Sequence, residues 1–73
     1  MGLRAYYELA KTQAVKWRAM NEIYTANRKQ GLEYPYPYEA IRDIEKAYTH
    51  YRNVYYSRGG KRYLPERIEE VKP

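Results

Sequence analysis

Between Leu3 and Lys29, apolar residues return at the spacing of a single helix face. At about 100° per residue, Leu3, Tyr6, Tyr7, Leu9, Ala10, Ala14, Trp17, Met20 and Tyr24 form one broad stripe. Arg4, Glu8, Lys11, Arg18, Glu22 and Lys29 take the opposite side, with Arg4–Glu8 and Arg18–Glu22 at ion-pair spacing. The segment holds neither Pro nor Gly, so one uninterrupted helix is predicted, about 40 Å long at ~1.5 Å per residue. Leu3, Ala10, Trp17 and Tyr24 also recur every seven residues. The companion heptad positions are Tyr6, Gln13, Met20 and Asn27, and two amides among them argue against a long two-stranded zipper. Gly31 predicts the stop, because it can take a positive φ after a last turn that carries Arg28 and Lys29.

A second stripe is cleaner. Ile41, Ile44, Tyr48, Tyr51 and Tyr55 step alternately by three and four, flanked by Ala40, Ala47 and Val54. Acids come early (Glu39, Asp43, Glu45) and arginines late (Arg52, Arg58), the order that complements a helix dipole. A helix over 37–58 is predicted, with Pro37 in its first turn and Gly59-Gly60 as its stop. Residues 30–37 form a linker in which Pro35 and Pro37 push Tyr34 and Tyr36 into extended geometry. In the tail, 59–73, Leu64, Ile68 and Val71 share a face at i, i+4, i+7, which predicts a short helix over 65–71 or an extended tail. A helix that short forms only when docked on the hairpin or on a partner. The architecture implied is all-α: an antiparallel helical hairpin, about 3–29 and 37–58, in one small unit spanning 1–73.

Composition changes this picture in one respect. Eleven residues are Tyr and none is Phe. A dry core favours Phe, because a buried phenol needs a hydrogen-bond partner. Tyr suits surfaces that are wet at one edge or covered by another molecule. Two helices bury one side of each other, so part of this aromatic surface is expected to meet a partner. The packing seam, between the helices or with a partner, is expected at Trp17, Tyr24, Tyr48, Tyr51 and Tyr55; Tyr6 is expected at a protein interface, and Tyr34, Tyr36 and Tyr38 at external docking. With no Cys, neither disulfides nor Cys-based zinc sites are available to stabilise so short a chain.

The charge is +5, from 14 basic and 9 acidic residues, and it is uneven. Residues 57–73 hold five basic and three acidic groups, whereas 38–56 hold three of each. Arg58, Lys61, Arg62 and Tyr63 surround two glycines, a pattern in which cations reach phosphates and Tyr stacks on an unpaired base. The same residues also serve as a helix cap with dipole-complementing cations. In an antiparallel hairpin Arg28 and Lys29 lie at the far end, so a single basic patch requires the tail to fold back. Gly-Gly-Lys without an upstream Gly is no phosphate-binding loop.

Candidate chemistry is thin. Asp43, His50 and Ser57 share a helix face at steps of seven, which separates them by about 10 Å along the axis. A nucleophile and its base need ~2.6–3.2 Å. Glu66 and Glu70 share a face, but acid–base work needs a concave, water-excluding pocket that a short hairpin lacks. No catalytic, metal or cofactor residues are therefore expected. Mean hydropathy is −1.03, and no stretch approaches the ~20 apolar residues of a membrane span. No secretory apolar region follows Met1, and Tyr6 stands where a myristoylation start wants Ser or Thr. The first helix has the outline of a membrane-surface or import segment, which Glu8, Glu22 and its lack of Ser weigh against. The expectation is a non-catalytic subunit of an intracellular assembly or virion, docking on protein subunits or on its own copies. The alternative is a small nucleic-acid-binding protein using 58–63.

Overall fold

Helix α1 runs Leu3–Lys29 and helix α2 runs Tyr38–Ser57 in the computed structural model, which describes residues 2–33 and 38–72. The predicted start at Pro37 lies outside the described residues. Among the described residues there is no strand, and the fold is an all-α hairpin. Its antiparallel register is visible in two ring pairs. Tyr7 meets Tyr55 at 5.6 Å between centroids, and Tyr24 meets Tyr38 at 6.4 Å. Seventeen residues forward in α1 are thus matched by seventeen back in α2.

Both helices end in the same way. Gly31 takes φ 71° and Gly59 takes φ 91°, the left-handed region that suits glycine. The Gly31 N–H donates to Arg28 and the Leu32 N–H to Asn27. The Gly59 N–H donates to Tyr56 and the Gly60 N–H to Tyr55. Each pair closes a Schellman motif and satisfies carbonyls that the helix end would leave open. α2 stops at Ser57, one residue before Arg58, because Arg58 is already the cap that hands the chain to Gly59.

The tail completes the core. Leu64, Ile68 and Val71 are 1%, 4% and 3% exposed, and they cluster with Ala10 and Ala14 of α1 and Tyr48 and Tyr55 of α2. The triplet docks on the hairpin with the tail largely extended, the second of the two expected forms, and not as a helix over 65–71. Only Ile68–Glu70 forms a single 3-10 turn, and the flanking residues are extended. Fewer than two turns of helix do not repay nucleation, and side chains of the hairpin bond the tail's backbone instead. α1 contributes only alanines to the fully buried set, so the Tyr rings and the tail fill the space beside it. The molecule measures 45 × 20 × 16 Å. Among the described residues, no helix is long and apolar enough to cross a membrane.

Candidate interface surfaces

The tail runs back along α2, and tyrosine hydroxyls hold it there. Tyr48 donates to the Pro65 carbonyl at 2.5 Å. The Leu64 N–H donates to the Tyr56 hydroxyl at 2.6 Å, and the Arg62 N–H donates to the Tyr55 hydroxyl at 2.9 Å. Arg52 Nε donates to the Leu64 carbonyl at 3.0 Å while its guanidinium lies over the Tyr56 ring. On the α1 side, Arg18 donates to the Val71 carbonyl and Lys11 to the Lys72 carbonyl. A tail without regular secondary structure needs such partners for its buried backbone. Phe at positions 48, 55 and 56 would supply none. Burial pushes the Tyr48 phenol up to about 12, with the Arg52 guanidinium pulling the other way.

Tyr48 and Tyr55, expected in the packing seam between the helices or with a partner, are packed inside the molecule on the chain's own tail, at 1% and 4% exposure. Arg18 faces the tail, and neither the Arg18–Glu22 nor the Arg4–Glu8 ion pair forms among the described residues. Tyr6 and Tyr51 are half-buried against the core, Tyr51 with its ring 5.6 Å from His50. Ser57 donates to the Val54 carbonyl, a local bond of the helix end.

Two surfaces remain. The first is the half of the hairpin that the tail does not reach. There Ile41 is buried and Met20 and Tyr24 are only partly covered, while Trp17 and Ile44, at its border, are partly buried against the core cluster. Leu32 and Tyr38 stand 58% and 57% exposed at its end. Trp17 Nε1 is enclosed and has no hydrogen-bond partner. Tyr34 and Tyr36 lie outside the described residues.

The second surface is the opposite end, where the α1 start meets the tail. Arg58 lies over the Tyr6 ring at 5.2 Å and Arg62 over the Tyr7 ring at 5.2 Å. Leu3, Arg4, Tyr7, Tyr55 and Arg62 line a cleft of about 320 Å³. Lys61 is exposed, and Tyr63 is 76% exposed further along the tail. The sequence singles out Arg58, Lys61, Arg62 and Tyr63 as a candidate nucleic-acid contact, and Arg4 and Tyr7 join Arg58 and Arg62 at this end only in the folded chain. Bringing Arg4 to Arg62 requires the register of the hairpin and the path of the tail. Arg28 and Lys29 remain at the far end, because the returning tail meets α1 at Lys11 and Arg18. No family model, curated protein or solved structure matches this chain.

Proposed function

We infer that the chain is a non-catalytic structural or accessory subunit that sits in a larger protein assembly, an intracellular complex or a virion. It docks through the half of the hairpin its tail leaves uncovered, with Tyr24 and Tyr38 against the neighbouring protein and Trp17 at the border of that face. The observation that carries this reading is the asymmetry of burial. Among the described residues, the cluster that the tail covers holds seven buried core side chains, and Ile41 lies outside it. An aromatic face with Leu32 and Tyr38 at its rim fits a protein neighbour, because Tyr and Trp give large contact area with a polar edge. Trp17 is the sole Trp and, half-buried at the border of this half, its fluorescence responds to further cover there.

The test is light scattering after size-exclusion chromatography, with Trp17 emission recorded across a concentration series. In the absence of its neighbours the purified chain should self-associate through this face, and emission should move to shorter wavelength as it does. The pair Leu32→Ser and Tyr38→Ser should return it toward monomer. A chain that stays monomeric at every concentration and melts cooperatively would overturn the reading.

A further inference from the structure

The basic end of the molecule is a separate surface, about a helix length from the proposed docking face. We propose that it is a binding site for single-stranded nucleic acid, with Arg4 and Arg62 as the central phosphate contacts, Arg58 and Lys61 flanking them, and Tyr63 as a stacking surface.

Three observations carry this. First, the cleft lined by Leu3, Arg4, Tyr7, Tyr55 and Arg62 contains two guanidiniums and no carboxylate. Two cations 58 positions apart in sequence are brought to one concavity, at the cost of their mutual repulsion. An anion placed between them removes that cost. Second, Arg58 and Arg62 are each laid over a tyrosine ring, at 5.2 Å from the centroid. Stacking orients the planar Arg62 guanidinium and keeps its edge N–H groups clear of the ring, the arrangement suited to bidentate phosphate contact. The Arg62 backbone is itself anchored by the Tyr55 hydroxyl. The cations are therefore held in place before a ligand arrives, which lowers the ordering cost of binding. Third, an open aromatic accompanies the cluster: Tyr63 is 76% exposed and follows Arg62 directly. Every base offers a π-face to such a ring, so recognition would be sequence-tolerant and limited to unpaired strands. A membrane surface fits less well. Leu3, at 38% exposure, is the one aliphatic side chain of the cleft, and it offers little to bury among lipid chains.

The experiment is fluorescence anisotropy of a labelled oligouridylate with the full chain, titrated between about 50 and 200 mM salt. Single-stranded binding falls with salt by a logarithmic slope of ~0.7 per phosphate neutralised, so four cations predict a slope of about −2 to −3. The double variant Arg4→Gln with Arg62→Gln should weaken binding at least about tenfold at the lower salt and flatten the slope by about 1.4. Arg28→Gln with Lys29→Gln removes the same charge from the far end and should leave the slope unchanged. Circular dichroism melts of both variants verify that each is folded. If the Arg4/Arg62 variant does not fold, Tyr63→Ala gives the second reading, an affinity loss with no change of slope. No binding at about 50 mM salt overturns the proposal. So does equal weakening in both charge variants, or binding to phosphatidylserine vesicles or inorganic phosphate without binding to the oligonucleotide. Self-association of the chain leaves these outcomes distinguishable, because the two surfaces share no residue.

Discussion

Replacing Tyr48 by Phe isolates the reason this chain uses tyrosine. The ring stays, and one hydroxyl is lost from a side chain that is 1% exposed. That hydroxyl donates to the Pro65 carbonyl at 2.5 Å, and Pro65 is itself buried. The carbonyl is left facing an apolar ring with no water to replace the donor. A buried acceptor stranded in this way costs about 1–3 kcal/mol. For a domain of this length about 1 kcal/mol corresponds to roughly 4–8 °C in Tm, and total stability is on the order of 4–11 kcal/mol at ~0.05–0.15 kcal/mol per residue. Tyr48→Phe should therefore lower the urea midpoint clearly without changing the slope of the transition. Tyr38→Phe, at a position 57% exposed, is the control and should stay within about 0.5 kcal/mol of the parent. If Tyr48→Phe is as stable as Tyr38→Phe, the Tyr48 hydroxyl does not hold the tail and the explanation for the missing phenylalanines fails.

Further outcomes follow from the same contacts. The Tyr48 phenol lies at about 12 when folded, against an ordinary value near 10, so the folded chain holds that proton more tightly than the unfolded one. The stabilising contribution is complete below pH of about 10 and is lost as pH rises toward about 12, and urea titrations of the parent should show a steeper alkaline decline than those of Tyr48→Phe. Gly60→Ala would drive a methyl group into the Tyr55 ring, which the Arg62 N–H fixes from the other side, and thermal melts should show a loss of about 1–3 kcal/mol. Gly31→Ala meets open space and should lose only about 1 kcal/mol, the strain of a positive φ. Leu64→Ala removes a side chain 1% exposed and should cost about 2–5 kcal/mol, enough to release the tail and raise the binding of a hydrophobic dye.

The helices were legible because their signals are local. Stripe periodicity, the Gly31 and Gly59 stops and the late arginines each act within a few residues, and the helix bounds differ from expectation by a single residue at Arg58. Leu64, Ile68 and Val71 were legible as an apolar spacing that allowed a short helix or an extended tail, and the tail takes the second form. The extended form with a single 3-10 turn prevails there because Tyr48, Tyr55, Tyr56 and Arg52 supply the tail's hydrogen bonds from α2. That trade is invisible in the tail's own residues. Its trace is the hydroxyl on every Tyr of the α2 stripe, which was read as a sign of an external surface and serves in part an internal one. The meeting of Arg4 with Arg62 depends on the hairpin register and the returning tail together, and no local pattern encodes it.

The most direct test of this account is amide hydrogen exchange at Arg62 and Leu64, whose N–H groups donate to the Tyr55 and Tyr56 hydroxyls outside any helix. A docked tail predicts that both exchange slowly, on the scale of the α2 amides around Tyr48, and that Tyr56→Phe frees Leu64 while leaving Arg62 protected. Exchange of both at the rate of an unstructured peptide would mean that the tail is not part of the core. The tyrosine face along α2 would then be open, and the division into a closed half and a docking half would be wrong.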